Sequence, residues 1–145
     1  MQALRTAVVK SALELAKVQG WTDRTLLSAV TQHQLAPVSP SQAAARGLFP
    51  NGPYELVEEL FDSWDSQLQR DITAEALEGL DSTQRLVLCL RKRLEYETPY
   101  QTNWSDAIAL GADCDHFNET AARLWSSWGL MLRLTGDDSS GVRAK

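Results

Sequence analysis

The sequence has 145 residues, of which 43% are hydrophobic and 23% are charged, and its formal net charge is −5. This length suits one domain with a core of its own, and the composition is typical of a globular protein and excludes a disordered chain. The acidic balance disfavours a large nucleic-acid footprint, because phosphate binding needs clustered Lys and Arg. No apolar run reaches the length that crosses a bilayer.

The first third of the sequence has the pattern of short helices. Periodic apolar residues predict an amphipathic first helix that ends at Gly20. A second helix, capped by Thr22 or Asp23, precedes a Pro-containing turn over 36–41 and a short third helix over 42–46. Helices joined in this way predict a helix-turn-helix arrangement.

The middle of the sequence predicts two longer helices. A fourth helix begins at Tyr54 and is expected to run to about Ala76, with a solvated acidic face made of Glu55, Glu58, Glu59 and Asp62. The next helix, capped by Asp81 or Ser82, is expected to turn its apolar residues inward: Val87, Leu90 and Leu94. Its basic run over 91–93 is expected on the other sides of the helix.

The last part of the sequence predicts a short helix that ends at Gly111 and a long helix from Phe117 to Leu134. The long helix carries an apolar stripe at steps of three and four: Phe117, Ala121, Leu124, Trp125, Trp128, Met131 and Leu132. So heavy a stripe needs a cover, which is the protein's own core, a bound lipid or a partner helix. No segment alternates with period two, so the predicted fold class is all-α.

The sequence shows no group of residues suited to catalysis or metal binding. Cys89 and Cys114 are far apart and are expected to be reduced, and two histidines, His33 and His116, provide no metal-ligand spacing. Asp115 lies between Cys114 and His116, but three adjacent residues do not face one another on a helix. We therefore predict no catalytic residue, no metal and no cofactor, and we expect His116 to be exposed.

The helix-turn-helix carries the following segments: Ala12-Leu13-Glu14-Leu15, Gly20-Trp21, a Val38-Ser39 turn, Phe49 and Glu55-Leu56-Val57. These segments resemble the N-terminal domain of TetR-type regulators over about the first third of the chain. The resemblance implies DNA contact by the third helix, where only Gln42 and Arg46 can reach a base edge or a phosphate. Basic and acidic residues balance over 1–60, so a DNA-binding regulator is an alternative and not the preferred function.

A second set of segments extends over nearly the whole chain: Ala12-Leu13-Glu14, Gly20-Trp21-Thr22, Leu48-Phe49-Pro50-Asn51-Gly52, Glu55-Leu56-Val57, Arg91-Lys92-Arg93-Leu94-Glu95, Pro99, Asn103-Trp104-Ser105-Asp106-Ala107-Ile108-Ala109-Leu110 and Gly136-Asp137-Asp138-Ser139. Together they resemble the ubiquinone-biosynthesis accessory proteins of mitochondria and their bacterial relatives. This resemblance implies a TetR-like helical bundle that has replaced DNA binding by a lipid-binding cavity. It implies a protein that is not an enzyme, and that presents a bound isoprenoid or quinone intermediate to the di-iron demethoxyubiquinone hydroxylase.

The apolar pattern and the resemblance together predict the walls of the lipid cavity: Phe61, Trp64, Leu90, Leu94, Trp104, Ile108, Leu124, Trp125 and Trp128. Each of these residue types is also typical of plain core. We expect Leu124, Trp125 and Trp128 to face the interior. The resemblance implies that Met131 belongs to a partner-binding patch, near Leu134, whereas the alternative is a core methionine that fills a gap.

The predicted organisation has three parts: a helix-turn-helix-like subdomain over 1–50, a bundle of lipid-binding or dimerisation type over 51–136, and a flexible tail over 137–145. In the family, an amphipathic helix that reaches the membrane follows this point, whereas the sequence ends at Lys145. Membrane contact and homodimerisation are therefore left open. The implied location is the mitochondrial matrix, with the targeting segment outside this chain. A structural subunit of a mitochondrial assembly that kept the fold is the third alternative.

Overall fold

A computed structural model describes residues 2–33 and 42–136 of the chain. Within these ranges the chain forms the helices α1 (Gln2–Gln19), α2 (Asp23–Gln32), α3 (Gln42–Leu48), α4 (Tyr54–Asp71), α5 (Ser82–Glu97), α6 (Trp104–Ala112) and α7 (Phe117–Thr135). A 3₁₀ helix, Thr98–Asn103, joins α5 to α6. The described residues contain no strand, which confirms the predicted all-α class. The predicted turn over 36–41 and the predicted tail over 137–145 lie outside them.

Local sequence explains most helix boundaries. Gly20 and Gly136, with φ angles of 82° and 73°, end α1 and α7 in the left-handed conformation that glycine adopts without strain. Thr22 accepts an amide hydrogen bond at the start of α2. Asp81 and Gln84 form a reciprocal capping box at the start of α5. These boundaries agree with the prediction.

Helix α4 ends at Asp71 and not near Ala76 as predicted. The backbone leaves the helix at Ile72, where φ is −91° and ψ is 82°. Ile72 is buried and belongs to the same apolar cluster as Cys89 and Met131. Packing of Ile72 against α5 and α7 thus accompanies the helix end, and tertiary contacts outweigh the helix propensity of 73–76.

Two apolar clusters hold the helices together. The larger one joins α1, α2 and α4 to the 3₁₀ helix and α6 through buried side chains such as Val8, Leu26, Phe49, Leu56 and Tyr100. The smaller one joins α4 to α5 and α7 through Leu68, Ile72, Cys89 and Met131. Helix α4 contributes to both clusters and is therefore the centre of the bundle. No helix in the ranges 2–33 and 42–136 is both long enough and apolar enough to cross a membrane.

The acidic residues of α4 form ion pairs. Asp62 is exposed and Glu58 and Glu59 are partly exposed, whereas Glu55 is buried and so departs from the predicted solvated face. Two arginines make these pairs: Arg5 of α1 with Glu55 and Glu59, and Arg123 of α7 with Glu58 and Asp62. Glu59 and Glu55 raise the pKa of Arg5 because their hydrogen bonds stabilise its charged form. Neighbouring pairs of carboxylates on one side of α4 are thus tied to α1 and to α7.

An apolar groove between α6 and α7

A groove of about 730 Å³ lies between α6 and α7, with α4 beneath it and the end of α5 at one side. Its walls are mainly apolar and include Val57, Phe61, Trp104, Ala107, Ile108, Phe117, Leu124, Trp128 and Met131. A volume of this size is typical of small-molecule sites, which are mostly apolar with a few polar groups. We therefore treat this groove as the candidate functional site.

Large apolar side chains remain exposed along the groove. The exposed fraction is 58% for Phe117, 57% for Ile108 and 52% for Leu124. Contiguous apolar surface of this kind typically marks a site for a ligand or a partner. The lining is thus accessible to a molecule from outside the chain.

The predicted interior position of Leu124, Trp125 and Trp128 is wrong, since all three side chains are exposed. The face of α7 that is buried consists of Ser127, Leu130, Met131 and Thr135. Ser127 turns inward because its hydroxyl oxygen lies 2.7 Å and 2.8 Å from the carboxylate oxygens of Asp65 on α4. A polar contact with α4 therefore accompanies the outward position of the tryptophans.

Helix α5 is also turned away from its predicted orientation. Val87, Leu90 and Leu94 were expected inside and are exposed, whereas Cys89 and Arg93 are buried. Cys89 is the residue of this face whose burial its type indicates, because free cysteine is among the most often buried residue types. The prediction followed the more apolar face, which is the exposed one here.

The predicted lipid-binding residues lie in several places. The groove between α6 and α7 contains Phe61, Trp104, Ile108, Leu124 and Trp128. Leu90 and Leu94 line a second groove of about 840 Å³ between α5 and α6, which shares Glu97, Trp104 and Ile108 with the first. Trp64 is buried in an aromatic cluster with Phe61, Tyr100 and Trp104. Trp125 lines neither groove.

The predicted partner-binding residues are less accessible than expected. Met131 is 7% exposed and belongs to the smaller apolar cluster, which agrees with the alternative of a core methionine. Leu134 is half-buried and packs against the same cluster. A role of either residue in partner binding stays a prediction.

Arg93 and Glu97 form a polar pair in the apolar groove wall, which the sequence prediction missed. The Nη1 group of Arg93 donates to Glu97 Oε1 at 3.1 Å, and both residues line the groove. The guanidinium lies over the rings of Phe61 and Trp64, which favours its positive charge. Burial lowers the pKa of Arg93 and raises the pKa of Glu97, because it disfavours the charged form of each group.

The far end of the groove is fixed by Tyr54 of α4. Its hydroxyl oxygen lies 2.9 Å from Thr120 Oγ1, and its ring stacks on His116 with the ring centres 4.0 Å apart. A Cβ added at Gly111 would lie 2.9 Å from Thr120 Oγ1, so α6 and α7 approach each other closely here. His116 is thus half-buried and not exposed as predicted.

The part of the chain that the structure describes contains no cluster of His, Cys, Asp and Glu that could hold a metal ion. Cys114 is exposed and Cys89 is buried, and burial raises the pKa of the Cys89 thiol. The chemistry that the groove offers is therefore apolar contact, supplemented by the Arg93–Glu97 pair.

Comparisons with known proteins agree with the resemblance found in the sequence. No family model matches the chain. The chain is similar to the ubiquinone biosynthesis protein COQ9, mitochondrial, of Drosophila melanogaster, with 27% identity over 143 residues. The match covers 96% of this chain and 42% of the relative, so the chain spans less than half of the relative's length. This similarity confirms the predicted resemblance and supports the COQ9 family of ubiquinone-biosynthesis proteins as the relatives of this chain.

Proposed function

We propose that the chain is a non-catalytic accessory protein of ubiquinone biosynthesis, and that it holds an isoprenoid lipid or a quinone intermediate in the groove between α6 and α7. The observation that carries this proposal is the exposed apolar lining of a groove of about 730 Å³. An isoprenoid tail is apolar and gains free energy when such a surface removes it from water. The name of the Drosophila relative supports the pathway.

We also propose the mitochondrion as the place of action, in the matrix near the inner membrane, because the relative is named as mitochondrial. There the bound intermediate is presented to the demethoxyubiquinone hydroxylase, as the family resemblance implies. Trp125, which is 65% exposed on α7 beside the groove, supports a protein contact on this side of the bundle. Exposed aromatic residues are enriched at protein interfaces.

Two alanines on α7 allow a matched test of the lipid site. Ala121 lines the groove, whereas its exposed neighbour Ala122 does not. We expect the purified protein to carry a prenylated lipid that native mass spectrometry and solvent extraction detect. Ala121→Trp fills the groove and reduces the bound lipid about tenfold, whereas Ala122→Trp retains it. Absence of lipid from the wild-type protein, together with no uptake of added ubiquinone-2, would overturn the proposal.

A further inference from the structure

We propose that Arg93 and Glu97 form a polar subsite that holds the neutral, oxygenated ring of a prenylated phenol or quinone and disfavours anionic head groups. The inference rests on the proposed lipid binding and adds which end of the ligand is recognised and by which side chains. It assigns the apolar tail to the rest of the groove, towards Leu124 and Phe117.

The guanidinium of Arg93 has donors left for a ligand. The residue is 8% exposed and lines the groove, and among the described residues Glu97 is its hydrogen-bond partner. A guanidinium carries five N–H donors. The remaining Arg93 nitrogens are not sealed in the core, because Trp21 Nε1 is the one side-chain nitrogen that is fully buried without a partner in the described ranges. Because Arg93 lines the groove, we infer that these donors are accessible from it.

A purely hydrocarbon ligand would cover these donors without satisfying them. Leaving a buried donor without an acceptor costs about 1–3 kcal/mol. A carbonyl or ether oxygen of the ligand removes this penalty, because it accepts from Arg93. The subsite thus favours a ligand with ring oxygens over a bare hydrocarbon.

Glu97 adds an acceptor next to these donors. One of its carboxylate oxygens accepts from Arg93, and its side chain lines the same groove. A quinone, whose ring oxygens are all acceptors, therefore accepts from the Arg93 donors, whereas a prenylated phenol can in addition donate its hydroxyl hydrogen to Glu97. Phe61 and Trp104 line the same groove and offer apolar surface to the ring.

The charges around the subsite disfavour an anion. Arg93 is paired with Glu97, and Asp65, which is held by Ser127, is close enough to interact with the Arg93 charge. One cation and two carboxylates leave a net negative charge, which repels a carboxylate or phosphate in a partly desolvated groove. A neutral head group carries no such penalty.

Three probes with isoprenoid chains test this selectivity: ubiquinone-2, farnesyl phosphate and the hydrocarbon farnesene. Their affinities can be measured by displacement of Nile red from the purified full chain. We expect ubiquinone-2 to bind most tightly and farnesyl phosphate most weakly. Arg93→Lys, which loses the planar fork of donors, should weaken ubiquinone-2 about tenfold and leave farnesene unchanged.

Glu97→Gln supplies an independent arm, because it removes a negative charge and keeps the shape of the side chain. We expect this substitution to raise the affinity for farnesyl phosphate about 3-fold or more. The matched control is Arg91→Lys, an exposed residue of the same helix that lines the second groove. It should change none of the three affinities.

The outcomes separate this inference from the proposed function. If none of the probes displaces Nile red, lipid binding fails and the subsite fails with it. If all three bind and neither Arg93→Lys nor Glu97→Gln changes their relative affinities, the groove binds lipid and the subsite alone is overturned. A change caused by Arg91→Lys instead would assign the head group to the second groove and overturn the inference as well.

Discussion

The guanidinium carbon of Arg93 lies 4.1 Å from the centre of the Trp64 ring and 5.2 Å from the centre of the Phe61 ring. This contact joins α5 to α4 and takes the place that an apolar residue of α5 was expected to occupy. It fixes which face of α5 is buried, and it leaves Leu90 and Leu94 exposed. One buried charge thus determines both the packing of α5 and the polar end of the groove.

Replacement of Arg93 is expected to destabilise the fold. Arg93→Met removes the contact with two aromatic rings and the hydrogen bond to Glu97, and we expect a loss of about 2 kcal/mol in the free energy of unfolding. Urea denaturation followed by circular dichroism measures this loss. Arg91→Met, at an exposed position of the same helix, should change the free energy by less than about 0.5 kcal/mol. Equal losses for the two variants would contradict the structural role of Arg93.

The carboxylates of α4 are expected to differ in their contribution to stability. Glu55 is 7% exposed, pairs with Arg5 at 3.0 Å and accepts the amide hydrogen bond of Asn51 at 2.8 Å. Glu58 is half-buried and pairs with Arg123 at 3.2 Å. We expect Glu55→Gln to cost about 1–2 kcal/mol and Glu58→Gln less than about 1 kcal/mol.

Urea denaturation at low and high salt tests this order. The cost of Glu58→Gln should shrink at high salt, because screening weakens a partly exposed ion pair. The cost of Glu55→Gln should change less, since its carboxylate is buried. A larger cost for Glu58→Gln would show that the Arg123 pair, and not the Arg5 pair, holds α4.

The sequence predicted those parts of the fold that depend on neighbouring residues. The ends of α1 and α7 at Gly20 and Gly136 are examples, because backbone conformation decides them locally. The orientation of α7 could not be predicted in this way. It depends on the contact of Ser127 with Asp65, which lies 62 positions away in the sequence. The spacing of apolar residues along α7 gives no sign of such a distant contact.

The groove itself was predicted in part for the same reason. The stripe of α7 correctly indicated apolar surface that needs a cover, and Leu124 and Trp128 do line the groove. Periodicity cannot tell whether the cover belongs to the chain, so the interior position expected for Leu124, Trp125 and Trp128 could not be decided from the sequence. Arg93 was missed because a basic run over 91–93 has the pattern of a solvated face, and only the rings of α4 make its burial favourable.

Two helical glycines should respond in opposite directions to alanine. At Gly111 an added Cβ would lie 2.9 Å from Thr120 Oγ1, whose own position is fixed by Tyr54. At Gly129 the nearest atom is the flexible end of Arg133, at 3.4 Å.

Gly111→Ala should therefore lower the free energy of unfolding by about 1–2 kcal/mol. Gly129→Ala should raise it by about 0.5–1 kcal/mol, because alanine favours the helix. Thermal and urea denaturation measure both changes, and a stabilising Gly111→Ala would contradict the close approach of α6 and α7.

Alkaline pH is expected to weaken the contact between Tyr96 and Asp71. The Tyr96 hydroxyl donates to the Asp71 carboxylate, and burial, together with this hydrogen bond, raises the pKa of Tyr96 above its ordinary value of 10.0. The folded chain thus holds this proton more tightly than the unfolded chain. The resulting stabilisation is complete below about pH 10 and is lost as the pH rises through the folded-state pKa.

Tyr96→Phe should therefore cost about 1 kcal/mol near neutral pH and reduce the decline in stability above about pH 10. Urea denaturation between about pH 8 and pH 11 measures this decline. Burial also raises the pKa of Tyr100. Tyr100 should therefore leave the Tyr96→Phe variant with a smaller decline in stability over the same pH range. Identical slopes for the wild-type chain and Tyr96→Phe would show that the Asp71 contact does not couple proton binding to the packing of α4 and α5.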